Sequence, residues 1–376
     1  MRASRMFALA AVGTSAVAMA GLTATTAVWA QSQHAHSFIG RFHHTRQVAS
    51  TVPRNGDVNP YGVAVVQHSQ GRLHRGDVLV SNFNNAKNLQ GTGSTIVEVS
   101  PHGHVTLFAH ISGMGLPHGA CPGGVGLTTA LVIVHDWVIV GSLPSADGTA
   151  ATSSAGCLLV LDSHGRVRET IHGHGINGPW DATAVTHGRS AALFVANVLN
   201  GTAAAHGGTV HRGTVLRLVL GLPNRRLPRL ISVTRIGSGF AERTDSAAFV
   251  VGPTGLGLGR DGALYVADTG MNRITVIRHA LTRRISAGTG NVLTAGGALN
   301  SPLGLAIAPG GDVLTVNGGD GRIVETTPHG HQVAARFLDS SGSPPGAGAL
   351  FGLAVAPHGA GLYYVDDAVN TLRLLR

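Results

Sequence analysis

The sequence predicts an all-β protein, a six-bladed β-propeller of four-stranded antiparallel blades. A phrase made of a turn, an apolar run and a short β-rich run recurs six times along the chain. In the last copies the corresponding glycines are evenly spaced, 49 residues from Gly255 to Gly304 and 48 from Gly304 to Gly352. Periods of about 40 to 50 residues built from short strands and Gly-rich turns are typical of propeller blades.

Each copy opens on a turn that leads into an apolar run, which we assign to the innermost strand of a blade. A second β-rich run follows, as in Tyr265-Val266-Ala267-Asp268, and a third apolar run closes most copies, as in Arg322 to Thr326. The blades are expected to start near residues 59, 123, 178, 252, 301 and 350. Longer spacings in the first copies indicate insertions there.

The first thirty residues have the pattern of a signal peptide. Arg2 and Arg5 precede an apolar stretch, and Val28-Trp29-Ala30 offers small residues at the −3 and −1 positions of a cleavage site. We therefore expect a secreted or periplasmic protein with no transmembrane span, in which residues 31 to 376 form a single propeller. An uncleaved anchor is the alternative reading of the same stretch.

The last copy ends at Leu375 with only three apparent strands. In closed propellers a strand from one end of the chain commonly completes the blade made by the other end. The segment Ser37 to Val48, which has strand-like composition, is predicted to supply the fourth strand of the last blade.

Composition narrows the classes of partner. The chain has 27 basic residues, 18 carboxylates and 21 histidines, and its net charge is +9 before any histidine is protonated. The arginine clusters are small and contain no interleaved aromatic residues, so we expect no nucleic-acid groove. Histidines stand in outer turns, as in Pro101-His102-Gly103, where the best copy has Asp261. This suits an acidic exterior and predicts a folded protein at about pH 3 to 4.

The two cysteines are expected to form a disulfide, because an exported protein meets oxidising conditions. If the strands of a blade run a to d from the axis outward, the d-to-a connections and the b-to-c loops emerge on one face, here called the loop-rich face. Cys121 precedes strand a of the second blade, and Cys157 ends the b-to-c loop of that blade. Two buried thiols are the alternative.

Three b-to-c loops on the loop-rich face are long: residues 83 to 93, 143 to 156 and 198 to 213. Loops on a rigid scaffold often carry binding residues. We expect these three to build a wall or lid over the central channel, on one side of the ring.

The candidate ligand-binding residues surround the channel on that face. Four of them end second strands: Asn82, Asn197, Asp268 and Asp367. Three come from d-to-a connections: Tyr61, Trp180 and Asp181. For Asp268 and Asp367, a role in capping their own turns is preferred to ligand binding. The first four, Asn82, Asn197, Asp268 and Asp367, are also candidate ligands for Ca²⁺, since amide and carboxylate oxygens suit that ion.

The copy from Gly252 to Ile277 resembles the NHL repeat in three phrases: Pro253-Thr254-Gly255-Leu256, Leu264 to Asp268, and Asn272-Arg273-Ile274. The chain thus resembles bacterial exported propellers of the NHL and gluconolactonase-like type, which include binding modules, lactonases and lyases. In the lactonases, Asn and Asp metal ligands stand directly before the repeat glycines. Here those positions hold Tyr61, Val125, Thr254, Leu303 and Phe351. The metal-ligand set that the resemblance implies is therefore not carried over.

The sequence thus predicts an exported monomer that binds a small molecule, a protein or a glycan through its loop-rich face. No catalytic residue can be assigned. The alternative is a metal-assisted lactone hydrolase or lyase at the same channel mouth. A structural assembly module that works through the sides of the ring is a third class.

Overall fold

The computed structural model describes residues 37–112, 116, 121–224 and 226–376, so the predicted signal peptide at residues 1–30 lies outside the described residues. The described chain is built from short strands. In chain order they are β1 (Thr45–Ser50), β2 (Val58–Val65), β3 (Val78–Asn84), β4 (Thr95–Val99), β5 (Val105–His110), β6 (Leu127–Val134), β7 (Trp137–Ser142), β8 (Cys157–Leu161), β9 (Val167–Ile171), β10 (Gly178–His187), β11 (Ser190–Val198), β12 (Val210–Gly221), β13 (Arg229–Asp245), β14 (Phe249–Val251), β15 (Pro253–Leu258), β16 (Leu264–Asp268), β17 (Arg273–Ile277), β18 (Asn291–Ala295), β19 (Pro302–Ile307), β20 (Val313–Asn317), β21 (Arg322–Thr326), β22 (Gln332–Phe337), β23 (Leu350–Val355), β24 (Leu362–Asp366) and β25 (Thr371–Leu375).

The helices are single 3-10 turns. They are Ile39–Arg41, Ala150–Thr152, Ala203–Ala205, Thr269–Met271, Pro357–Gly359 and Asp367–Val369. Within the described residues, no helix is long and apolar enough to cross a membrane.

The strands form six antiparallel sheets, which confirms the predicted six-bladed propeller. Blades 1 and 2 are β2 to β5 and β6 to β9, blade 3 is β10 to β14, blades 4 and 5 are β15 to β18 and β19 to β22, and blade 6 is β23 to β25 with β1. Blade 3 has a fifth strand because β13 runs past its sheet and folds back on β14. That hairpin is absent from the sequence prediction.

Strand β1 closes the ring, as predicted. Thr45 pairs with Leu375 in β25, and the backbones of His44 and Arg376 exchange two hydrogen bonds of 2.9 and 2.8 Å. The predicted start of this strand at Ser37 was wrong, because the chain forms a 3-10 turn at Ile39–Arg41 before it becomes extended at Phe42. The cause is the Glu325 carboxylate of blade 5, which accepts hydrogen bonds from the amides of Phe38 and Ile39 at 2.7 and 2.9 Å.

The repeat glycines allow the inner strands of neighbouring blades to approach closely. A Cβ added at Gly304 would collide with the carbonyl oxygen of Phe351, and one at Gly352 would collide with that of Tyr61. Second strands such as β3 and β16 lie behind them and are buried along their whole length. The apolar faces of neighbouring blades therefore pack into separate buried clusters arranged around a central channel.

Candidate functional site

An aromatic plug closes the central channel on the loop-rich face. Tyr61 stacks between Phe351 and Phe83, with ring centroids 4.1 and 4.5 Å apart, and Trp180 lies 6.0 Å from Tyr61. Leu303 packs in the same cluster, and all five side chains are buried. Burial and the neighbouring Asp367 raise the pKa of Tyr61 well above its usual value. Two predicted ligand-binding residues, Tyr61 and Trp180, thus belong to the core of this plug.

The β13–β14 hairpin lies over the plug. Phe249 meets the edge of Phe83 at 5.7 Å, and Ala248, Val250 and Val251 join the same apolar cluster. Phe249 adopts a φ of 66°, a conformation that is uncommon for a bulky residue. At the tip of the hairpin, the Ser246 carbonyl accepts a hydrogen bond from Gln90 of the first long loop at 2.8 Å. The hairpin is therefore fixed to blade 1 as well as to blade 3.

A cavity of about 430 Å³ lies between this hairpin and the three long loops. We call it the loop pocket. The turns Ala150–Thr152 and Ala203–Ala205 of the second and third loops pack against each other beside it. Its wall includes Gln90, Thr149, Ala151, His206, Asp245 and Phe249. Gln90 Oε1 is buried and has no hydrogen-bond partner among the described residues. The loops do form a wall on one side of the ring, as expected.

A second cavity, of about 690 Å³, occupies the channel itself on the other side of the plug. We call it the channel cavity. All six inner strands contribute to its wall, and the turns that join first to second strands, at His68 and His135, surround its opening. The channel therefore opens on the face opposite the loop-rich face. The channel mouth predicted on the loop-rich face is therefore wrong, because aromatic rings fill the channel there.

Asp181 lies in the wall of the channel cavity, directly after Trp180 of the plug. Its Oδ2 accepts a hydrogen bond from the amide of Leu256 at 2.9 Å. Burial raises the pKa of this carboxyl to about 7. The other ionisable residues of the described wall are His68, His135 and Asp136, all near the opening. Asp181 is thus a carboxyl at the closed end of the channel with no cationic side chain beside it in that wall.

The two predicted asparagines hold segments of backbone in place. Asn82 Nδ2 donates to the carbonyl of Thr51 at 3.0 Å. Asn197 Oδ1 accepts from the amides of Asn177 and Gly178 at 2.8 and 3.1 Å. Both side chains are buried.

The two predicted aspartates at strand ends lie in different blades. Asp268 forms an ion pair of 2.7 Å with Arg273, its cross-strand partner, and does not cap the turn that follows it. Asp367 begins the turn Asp367–Val369, and burial together with Asp366 raises its pKa to about 7. The contacts of Asn82, Asn197 and Asp268 lie within or beside their own blades.

The positions that hold metal ligands in the lactonases also carry side chains that do not suit a cation here. Tyr61, Leu303 and Phe351 are packed in the plug, and the Thr254 hydroxyl lies 2.6 Å from that of Thr269. One group of potential ligands missed by the sequence analysis is His74, Asp77 and Glu98 in blade 1. Glu98 accepts hydrogen bonds from the amide of His74 at 2.8 Å and lies 3.3 Å from its ring, so it fixes the loop before β3.

The predicted disulfide is present. Cys121 and Cys157 are bonded, with their Cα atoms 5.3 Å apart. Cys157 begins β8, and the amide of Gly123 donates to the carbonyl of Ala155 beside it at 2.9 Å. The bridge therefore fixes the second long loop, which lines the loop pocket, to the entry of blade 2.

Solved structures of known proteins share this architecture. The gluconolactonase XC5397 from Xanthomonas campestris superimposes with a TM-score of 0.53 at 12% identity, over 88% of each chain. Virginiamycin B lyase from Staphylococcus aureus gives 0.51 at 13% identity, over 88% of this chain and 98% of that one. A luciferin-regenerating enzyme gives 0.51 at 12% identity, over 87% and 94%.

The chain shares the gluconolactonase-like propeller fold. At such identities the likeness concerns the fold alone, because one propeller fold carries many activities. No protein-family model matches the sequence, and no curated protein matches it.

Proposed function

We propose that the protein is an exported binding module that holds a small polar ligand, or the end of a glycan, in the loop pocket. The observation that carries the proposal is the convergence of three long loops and an extra hairpin on one cavity. Most connections in a propeller are short, and long ordered loops on a rigid scaffold are commonly functional. The pocket volume of about 430 Å³ is within the range of small-molecule sites.

The wall chemistry supports a polar ligand. Thr149, His206, Asp245 and Gln90 offer donors and acceptors, and Phe249 supplies an aromatic edge. The Cys121–Cys157 bond supports export to an oxidising compartment, where such bonds persist.

The test is ligand capture by matched variants. Ala151 is exposed in the pocket wall, whereas Ala146 is exposed elsewhere in the same loop. Native protein is expected to retain a small molecule detectable by mass spectrometry, or to bind members of a glycan array. Ala151→Trp should lose that binding and Ala146→Trp should keep it. Equal binding by both variants would contradict the proposal.

A metal-assisted lactone hydrolase or lyase is the second candidate, suggested by the activities named for the structural neighbours. The plug weighs against it, since apolar rings fill the channel end where that chemistry would need oxygen ligands. Assays on a lactone panel with added Ca²⁺, Mg²⁺ or Zn²⁺ separate the two. Turnover that is lost on chelation, and is unaffected in Ala151→Trp, would favour the enzyme.

A further inference from the structure

The channel cavity is a second compartment, separate from the loop pocket. The plug of Tyr61, Phe83, Trp180, Leu303 and Phe351 lies between them. With about 690 Å³, the channel cavity is also the larger of the two and within the usual range of ligand sites. Among the described residues, the opening of this cavity lies on the face that carries His68 and His135.

The wall of this cavity combines apolar side chains with backbone edges. Val63, Leu131, Leu256, Leu305 and Leu353 come from five different blades. Each inner strand is also the edge strand of its sheet, because it pairs on one side only. An edge strand carries backbone N–H and C=O groups that its own sheet leaves unpaired. The cavity thus offers apolar surface along its length and carbonyl acceptors beside it.

One carboxyl stands at the closed end. Asp181 accepts a hydrogen bond from the amide of Leu256 at 2.9 Å and a second from the amide of Ala182, and no cationic side chain of the described wall lies beside it. Asp181 is half-buried in the cavity wall, and a carboxylate withdrawn from water is costly unless a cation or several donors compensate it. A ligand that brings a positive charge with several N–H donors to this point would supply that compensation. An ammonium group has three donors and no acceptor.

We propose that the channel cavity binds an organic primary amine, with its ammonium group at Asp181 and its apolar body along the inner strands toward the opening. The carboxylate pairs with the charge, and backbone carbonyls of the edge strands accept the remaining N–H groups. The apolar side chains of the five blades contact the hydrocarbon. This site is independent of the loop pocket and of any ligand bound there.

The experiment compares n-octylamine with octan-1-ol, which has the same chain and no charge. Titration calorimetry measures both at pH 8, which lies above the raised pKa of the Asp181 carboxyl. The other ionisable residues of the described wall are His68, His135 and Asp136, near the opening. Octylamine is expected to bind at one site, at least tenfold more tightly than octan-1-ol. Asp181→Asn keeps an oxygen for the Leu256 amide but removes the charge, and it should weaken octylamine binding at least tenfold without changing octan-1-ol binding.

Three variants complete the test. Thr183 shares the channel-facing side of β10 with Asp181, so Thr183→Trp should block the tube and also abolish binding. Asp136→Asn, at the opening, and Ala151→Trp, in the loop pocket, should keep octylamine affinity within about twofold. Equal binding of octylamine and octan-1-ol, or undiminished binding by folded Asp181→Asn or Thr183→Trp, would overturn the proposal. Loss of binding in Ala151→Trp would place the amine in the loop pocket and would overturn it too.

Discussion

Tyr61 of blade 1 stacks on Phe351 of blade 6, with ring centroids 4.1 Å apart. The two blades are the first and the last along the chain and are neighbours in the closed ring, so this contact joins them beside the axis as well as closing the channel. The pair shows why residues at a propeller axis can be mistaken for a binding site. They converge from different blades, as ligand residues do, but here they converge on each other.

Removing an aromatic ring of the plug should lower the free energy of unfolding by several kcal/mol. Phe351→Ala deletes a fully buried side chain that contacts Tyr61, and truncations of this kind cost about 3 to 5 kcal/mol of unfolding free energy. Phe337→Ala is the matched control, because Phe337 is 41% exposed on an edge strand, and it should cost about 1 kcal/mol. Chemical denaturation measures both. A similar cost for the two variants would show that the plug is not tightly packed.

Removing β1 should open the ring. Deletion of residues 31 to 50 takes away the fourth strand of blade 6 and exposes the edge of β25, so the melting temperature should fall sharply. Deletion of residues 31 to 43 retains β1 and loses only the docked turn, and we expect a smaller fall. Thermal unfolding followed by circular dichroism compares the two. An unchanged melting temperature in the longer deletion would contradict closure by β1.

Glu325 should contribute to the free energy of unfolding only while the amides of Phe38 and Ile39 are present. Glu325→Gln removes one of the two acceptor oxygens for Phe38 and Ile39, and it should cost about 1 to 3 kcal/mol of unfolding free energy. In the chain that lacks residues 31 to 43 the same substitution should have little effect, because the donors are gone. A double-mutant cycle from denaturation curves gives the coupling. An equal cost in both chains would assign the effect to other contacts.

The disulfide should stabilise the protein by restricting its unfolded state. Cys121 and Cys157 are 36 residues apart, a separation for which chain entropy suggests about 3 to 4 kcal/mol. The double variant Cys121→Ser, Cys157→Ser should lose that amount in denaturation experiments, and reduction of the wild type should reproduce the loss. Because the chain has only these two cysteines, thiol titration of unfolded, unreduced protein should detect none.

Stability should be greater at mildly acidic pH than at alkaline pH. Burial raises the pKa of Glu242, Glu325 and Asp181 to about 7. These groups keep their protons in the folded protein at pH values where the unfolded chain, with carboxyl pKa values of about 4, has lost them. The free energy of unfolding should therefore fall as pH rises from about 4 to about 7 and level off above.

The measurement is thermal unfolding at constant ionic strength, with salt to screen the charge gained by histidines at low pH. Asp181→Asn has no proton to lose at that position, so its dependence on pH should be shallower than that of the wild type. A melting temperature that rises from pH 5 to pH 8 would contradict the expectation.

The fold could be predicted because its signals are local and repeated. Turns, β-branched runs and glycines recur at blade spacing, and the close approach at Gly304 and Gly352 explains why glycine stands there. The ring closure was also predictable from the missing fourth strand. The turn at Ile39–Arg41 was not, because it depends on Glu325, which is remote in sequence.

The site was only partly predictable. The long loops and the two cysteines stand out in the sequence, and they do meet on one face. The plug does not stand out, because it depends on ring-to-ring distances between blades. The β13–β14 hairpin gives no clear turn signal in Arg229 to Val251. The sequence therefore predicts Asp181 on the loop-rich face, although the plug separates it from that face.

Pairing of β1 with β25 also has a consequence for how the protein folds. The two strands lie at opposite ends of the described chain, so blade 6 can form only after all the other blades have been synthesised. Contacts between such distant segments form slowly, because a large loop must close first. Until then, the apolar edges of blades 1 and 5 stay exposed. The final stage of folding is therefore expected to be the stage most sensitive to aggregation and to chaperones.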